Sequence, residues 1–128
     1  MPLVTVTLQQ PRTPAFKSAL LDGIHRCLVG AGVPATDRFQ RVLELDGDSF
    51  RFDPAYPDAA NARGAGFVLI EILWSVGRSV RIKRKLVADI TAALADDPGL
   101  DPEQEMIVFV ETAWENWAFA GGRLLHAG

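Results

Sequence analysis

The sequence predicts a small α/β (α+β) protein in which two fused β-α-β units form one four-stranded sheet with both helices on one face. Three observations predict this architecture: strand-like and helix-like segments alternate, each long helix begins at a recognisable cap, and the same order of elements occurs twice. The 128 residues suit one compact domain of ordinary size. We therefore expect a single domain over residues 1–128, with pseudo-repeats at about 2–45 and 66–111.

The first unit begins almost at the amino terminus. Residues 3–8 read Leu-Val-Thr-Val-Thr-Leu, an alternating, β-branched pattern that predicts a strand with one face toward a core. Thr13 and Pro14 predict a helix start, because threonine is a good N-cap and proline's missing N–H costs nothing at the first helical position. The apolar stripe of this helix is Phe16, Leu20, Ile24, Cys27, Leu28 and Ala31. Glycines and a proline between residues 30 and 34 end the helix, and residues 39–45 form a second strand.

The second unit follows a long loop. Residues 46–66 are rich in Gly, Pro, Asp and Asn, which predicts a loop that could hold a short strand at 49–52. Residues 66–74 then predict a buried strand, and Ser79 caps a second helix. Residues 105–111 predict the fourth strand.

The two units repeat with a constant spacing. An Arg-Thr pair at 12–13 and an Arg-Ser pair at 78–79 precede the two helices and lie 66 residues apart. Phe39 and Glu105, which begin the second strand of each unit, have the same separation. This register indicates an internal duplication.

The predicted sheet has one face without cover. Two helices on one side leave the other side exposed, and oligomerisation is the natural way to bury it. A ferredoxin-like fold, with the order β-α-β-β-α-β and an antiparallel sheet, has the same ingredients and remains an alternative. The apolar pair at 124–125 could add a short pairing strand.

Composition excludes several classes of function. A net charge of −3 gives no field that would collect nucleic acid or an anionic membrane surface. Cys27, the single cysteine, cannot form an internal disulfide, and Glu71 and Arg78 interrupt the longest apolar run. With no signal-like segment at the start, we expect a cytoplasmic protein. No Cys/His cluster or phosphate loop is present in the sequence, so we expect neither a metal nor another cofactor.

Several short motifs carry a family resemblance that extends over nearly the whole chain. They are Pro2-Leu3 before a strand, Arg12-Thr13 before a helix, the stretch 32–40, Gly77-Arg78-Ser79, Val110-Glu111 and the stretch 116–119. Together they make the sequence similar to the tautomerase superfamily, and in particular to its malonate semialdehyde decarboxylase-like branch. The resemblance implies β-α-β blocks assembled around an axis, and for a double unit it implies a homotrimer.

The resemblance also implies a catalytic set of Pro2, Arg78 and Asp37. Once Met1 is removed, Pro2 carries a secondary amine that can hold or release a proton, whereas a retained Met1 would make that nitrogen an amide. Arg78 lies at a strand-to-helix junction, where helix amides favour an anion, and the family arginine binds or polarises the substrate. Asp37 matches an aspartate that assists the proline and activates water, although aspartate is also common in turns before strands.

Aromatic and basic residues near these motifs have competing interpretations. Trp114, Trp117 and Phe119 could wall an apolar pocket, and we expect Trp117 and Phe119 to help bind substrate, but packing in the core or at a subunit contact is the more common role for such residues. His25 on the first helix is better explained as a partly buried structural histidine. The basic run at 83–85 looks like a solvated helix face.

One departure from the family pattern bears on the reaction. Decarboxylase relatives carry a second arginine where this chain has Val76, and dehalogenase relatives carry theirs where it has Ser75. The expected function is therefore proline-based chemistry on a small-molecule 2-oxo or 3-oxo acid, by keto-enol tautomerisation, with decarboxylation or hydration weak. The alternatives are a non-catalytic small-molecule-binding or regulatory trimer of the same fold and an unrelated ferredoxin-like oligomer.

Overall fold

The computed structural model describes residues 1–125 and contains two helices and a four-stranded sheet. In chain order these elements are β1 (Leu3–Gln9), α1 (Pro14–Gly30), β2 (Phe39–Leu45), β3 (Val68–Ser75), α2 (Val80–Asp96) and β4 (Glu105–Thr112). A short antiparallel pair, β5 (Ala118–Ala120) and β6 (Arg123–Leu124), follows. The expected short strand at 124–125 is thus confirmed, one residue earlier than predicted.

The sheet order is β2-β1-β3-β4. Within each β-α-β unit the two strands are parallel, and the units join through the antiparallel pairing of β1 with β3. A ferredoxin-like sheet would be antiparallel throughout, so that alternative is wrong. The predicted fold class of two β-α-β units is confirmed.

Both predicted helix caps are present. The Oγ1 of Thr13 accepts a hydrogen bond from the backbone N–H of Phe16 at 3.1 Å, and the Oγ of Ser79 accepts one from Ile82 at 3.2 Å. Each cap satisfies one of the amides that a helix start leaves without a partner. Because of these caps, both helices begin at the residue that the sequence indicates.

The core lies between the helices and one face of the sheet. Its fully buried members include Val4, Val6 and Leu8 of β1, Ile70, Ile72 and Trp74 of β3, Leu20, Ile24 and Leu28 of α1, and Leu86, Ile90 and Leu94 of α2. Strand residues alternate in direction along the chain, whereas helix residues recur at three and four positions, so both periodicities converge on one layer. Within residues 1–125, no helix is long and apolar enough to cross a bilayer.

The opposite face of the sheet carries large apolar side chains. Phe39 and Leu43 of β2 and Met106 and Val110 of β4 lie on this face and are each between 42% and 50% exposed. Such a face seldom stays open to water in a stable soluble protein. The predicted need for cover on this side is therefore present in the fold.

The long loop differs from prediction in one respect. No strand forms at 49–52, so that part of the prediction is wrong. Phe50 and Phe52 instead turn their rings toward Phe67, with ring centroids 5.8 Å and 4.5 Å away. This aromatic cluster, rather than strand pairing, holds the loop against the end of the sheet.

Burial on α1 predicts a contrast in stability. Leu20 is fully buried, whereas Val29 on the same helix is 38% exposed. Leu20→Ala should lower the free energy of unfolding by about 2–5 kcal/mol, because it leaves a cavity in the core. Val29→Ala should change it by only about 0.5 kcal/mol. Urea denaturation at matched protein concentrations measures both values, and similar losses for the two variants would contradict the assigned helix face.

Candidate active site

The strand pairings bring the three predicted catalytic residues to one end of the sheet. Leu3, at the start of β1, pairs with Phe39 at the start of β2 and with Leu73 near the end of β3. Pro2 precedes β1, Asp37 precedes β2 and Arg78 follows β3. Residues that are distant in the sequence therefore meet beside the amino terminus.

A cavity of about 420 Å³ lies at this end of the sheet. Its lining residues are Met1, Gly32, Val33, Pro34, Asp37, Arg78, Trp114 and Leu125. One carboxylate, one guanidinium and the amino end of the chain thus share a mainly apolar space. A small organic acid fits such a site in both size and polarity.

Asp37 faces the amino terminus directly. One of its carboxylate oxygens, Oδ2, lies 2.6 Å from the α-amino nitrogen of Met1, and the two side chains are only 15% and 10% exposed. The backbone N–H of Asp37 donates to the carbonyl of Pro34 at 3.0 Å, which holds the turn that presents the carboxylate. Pro2 is buried next to this ion pair.

Arg78 is held in place from two sides. Its Nη1 donates to the carbonyl oxygen of Ser75 at 2.9 Å, and its guanidinium carbon lies 4.2 Å from the centre of the Trp74 ring. Burial lowers the pKa of Arg78, and the charges of Glu111 and Asp37 oppose that shift. The side chain still remains a cation at neutral pH, because arginine titrates so far above it.

Arg78 forms no ion pair in the part of the chain that the structure describes. Among the ion pairs formed within residues 1–125, none includes Arg78. The carboxylate of Asp37 pairs with the amino terminus, and that of Glu111 pairs with Lys83 at 2.7 Å. Arg78 is therefore available to bind an anion beside the first turn of α2.

The structure separates the aromatic residues that the sequence groups together. Trp114 lines the cavity and donates from Nε1 to the carbonyl oxygen of Val76 at 3.1 Å. Trp117 and Phe119 stack on each other at 5.6 Å, and Phe119 contacts Phe39 at 5.4 Å. Within residues 1–125 they do not line the space that contains Arg78.

Val33 and Pro34 are lining residues absent from the predicted site, and Trp114 is one of the three aromatic residues that could wall a pocket but is not one assigned to substrate binding. The three aromatic residues lie within six positions of one another, and their spacing alone does not reveal which one turns toward the cavity. For Val33 and Pro34 a signal was present, since both belong to the family-like stretch 32–40.

His25 has the structural role that the sequence favours. It is buried, and its Nε2 donates to the carbonyl oxygen of Ala35 at 2.9 Å. This bond ties α1 to the loop that leads to Asp37. His25 thus supports the site from outside the cavity.

Residues 37–120 match the model of a protein family described as tautomerase enzyme, and this match covers more than half of the chain. The chain belongs to the tautomerase family. A search of curated protein sequences finds no match to this chain.

Solved structures share the fold over almost the full length. A malonate semialdehyde decarboxylase is 30% identical with a TM-score of 0.88, covering 95% of this chain and 93% of its own. A second malonate semialdehyde decarboxylase, inhibited by 3-bromopropiolate, is 28% identical with a TM-score of 0.87, covering 95% and 92%. A fused 4-OT, solved as a symmetric trimer, shares the fold at 24% identity, with a TM-score of 0.73 and coverage of 95% and 94%. The predicted resemblance to the malonate semialdehyde decarboxylase-like branch is confirmed.

Proposed function

We propose that this protein is an enzyme that uses Pro2 as a general acid or base on a small 2-oxo or 3-oxo acid. The observation that carries the proposal is the 2.6 Å contact between the amino end of the chain and Asp37, in the cavity that also contains Arg78. An amine, a carboxylate and a cation that forms no ion pair within residues 1–125, all in one apolar space, are the groups that enolisation of an organic acid needs.

Removal of Met1 is a requirement of this mechanism. In the unprocessed chain the Pro2 nitrogen is an amide and cannot exchange a proton. Processing moves the free amine by one residue, about 3.8 Å along the chain, so it stays within the same region of the cavity. Free α-amino groups titrate near about 8 in water, so both protonation states of such a group are accessible around neutral pH.

The three residues have complementary roles in the proposed reaction. Arg78 binds the substrate carboxylate and so fixes the position of the carbon next to the carbonyl. Pro2 takes a proton from that carbon, the C–H electrons form the new C=C bond, and the C=O π electrons move to the oxygen, which becomes an enolate and takes a proton from a water molecule. The protonated Pro2 then gives its proton to the hydroxide that remains, which restores the neutral amine and the water. Asp37 keeps the protonated amine in place by hydrogen bonding, as it does for the Met1 amine.

The named activities of solved relatives support this class of chemistry. The 30% identical malonate semialdehyde decarboxylase is described as having decarboxylase and hydratase activities, and its solved forms include a variant with alanine in place of the proline at its first position. In the present chain, Pro2 would occupy the first position after removal of Met1.

The substrate preference follows from the number of cations in the cavity. Decarboxylation of a 3-oxo acid builds charge on the carbonyl oxygen, so it gains from a second cationic donor. By the family resemblance, Val76 stands at the position of a second arginine in decarboxylase relatives. Enolisation needs fewer cationic groups, because one cation bound to the carboxylate is enough to hold the substrate while Pro2 moves one proton.

We also propose that the functional form is a homotrimer. The apolar sheet face, with Phe39, Leu43, Met106 and Val110 partly exposed, needs cover. The fused 4-OT that shares this fold is described as a symmetric trimer. Light scattering coupled to size exclusion should give three times the chain mass at micromolar concentration, and a monomer there would contradict the proposal.

A panel of oxo acids tests the enzymatic function. After intact mass has verified that Met1 is absent, the protein should tautomerise an enolisable substrate such as phenylpyruvate and decarboxylate malonate semialdehyde weakly or not at all. Chemical blocking of the amino terminus should abolish the activity, because an acylated proline has no basic nitrogen. Val76→Arg should raise any decarboxylation.

Two outcomes would contradict this assignment. Efficient decarboxylation of malonate semialdehyde with enols left untouched would overturn the proposed preference. A processed protein that binds small carboxylates but turns over none of the panel would favour the alternative, a non-catalytic binding or regulatory trimer, which the absence of the second arginine also favours.

The arginine that binds substrate should be identifiable by paired substitutions. Arg78→Ala should reduce kcat/KM by about ten- to a hundredfold, the usual effect of losing a charged hydrogen-bond partner. Arg84→Ala should leave it within about twofold, since Arg84 is exposed on α2 and lies outside the cavity. Steady-state kinetics on phenylpyruvate measures both, and equal losses would place the anion site elsewhere.

A further inference from the structure

Glu111 is an acidic residue of β4 that lies near Arg78. In the parallel register of β3 and β4, Glu111 is the partner of Trp74, so their side chains lie on the same face about 4.8 Å apart between strands. The guanidinium of Arg78 lies over the Trp74 ring at 4.2 Å. Arg78 and Glu111 are therefore neighbours of the same indole. Burial lowers the pKa of Arg78, and the charge of Glu111, followed by that of Asp37, opposes this shift.

Lys83 forms an ion pair with the carboxylate of Glu111. It lies in the first turn of α2, where its backbone N–H donates to the carbonyl of Ser79 at 3.1 Å. Its Nζ donates to Oε1 of Glu111 at 2.7 Å, and the two side chains are 25% and 29% exposed. This pair is more shielded from water than the neighbouring pair of Lys85 and Asp89, whose side chains are 74% and 43% exposed.

We propose that Lys83 is a positioning residue that keeps Glu111 away from Arg78 and so leaves the guanidinium free to bind the substrate carboxylate. This inference rests on the proposed function of Arg78 as the carboxylate clamp. Without Lys83, the carboxylate of Glu111, whose side chain is 29% exposed, would remain without its cation near the partly buried guanidinium of Arg78, and the two would pair. An incoming substrate would then have to displace Glu111 before it could bind.

This role separates Lys83 from the rest of its basic run. The sequence suggests that residues 83–85 form a solvated helix face, and Lys85 fits that description because its partner Asp89 lies one turn along the same helix. Lys83 instead reaches across to β4. Lys85 is therefore a matched control of the same residue type, two positions away.

Binding of malonate, a small unreactive dicarboxylate, tests the proposal on the processed full-length protein. Lys83→Met should weaken malonate binding by about five- to tenfold, an effect typical of losing a partly shielded ion pair near a charged ligand. Lys85→Met should leave the dissociation constant within about twofold. The double variant Lys83→Met with Glu111→Gln should return to within about twofold of the unmodified protein, because the competing charge is gone. Isothermal titration calorimetry at low salt measures all four proteins.

The outcomes separate this inference from the function on which it rests. The rescue by Glu111→Gln is the decisive result, because a merely structural role for the ion pair would leave the double variant as weak as Lys83→Met. A double variant that binds malonate as weakly as Lys83→Met, or unchanged binding by a folded Lys83→Met, would overturn the role of Lys83. Arg78→Met should bind malonate at least about tenfold more weakly than the unmodified protein. If Arg78→Met loses this affinity and Lys83→Met does not, only the present inference is contradicted. Unchanged binding by Arg78→Met would contradict the proposed carboxylate clamp itself.

Discussion

The pairing of β1 with β3 is the constraint on which the rest of the site depends. Each β-α-β unit is a local structure with its own cap and helix, but the antiparallel register that places Leu3 opposite Leu73 joins the two. It brings the start of the chain to the end of β3, where Arg78 begins the turn into α2. A shift by one residue would turn every side chain of one strand to the opposite face and move Trp74 out of the core.

Charge distribution around the cavity follows from this geometry. Two carboxylates, Asp37 and Glu111, act on one guanidinium, and each has a different cation as its direct partner. The guanidinium is instead held by a carbonyl oxygen and an aromatic ring, neither of which neutralises it. A partly buried cation without a counterion is costly unless a ligand supplies one, so this arrangement is typical of a binding site rather than of a structural ion pair.

The two faces of the sheet have different roles. The face toward the helices is closed by buried aliphatic residues and Trp74, and it provides the rigid support for Arg78. The other face keeps Phe39, Leu43, Met106 and Val110 partly exposed, although Phe119 packs on Phe39 within the same chain. The residues that line the site lie in connecting segments, and these segments are held close together because the amino terminus and the starts of β1 and β2 lie at one end of this sheet.

The sequence by itself determined the elements and the family. Thr13 and Ser79 mark the helix starts, and the alternation of apolar and polar residues indicates the strands. The motifs around Pro2, Asp37 and Arg78 carry the resemblance that the family match confirms. These are local signals, because caps, periodicity and short motifs act over a few residues.

Only the tertiary structure decided the sheet order, the choice of Trp114 over Trp117 and Phe119 as a lining residue, and the pairing of Lys83 with Glu111. It also replaced the expected strand at 49–52 with an aromatic cluster around Phe67. Each of these depends on contacts between segments that are far apart in the chain, and one sequence contains no local pattern that specifies which distant partner a side chain will meet.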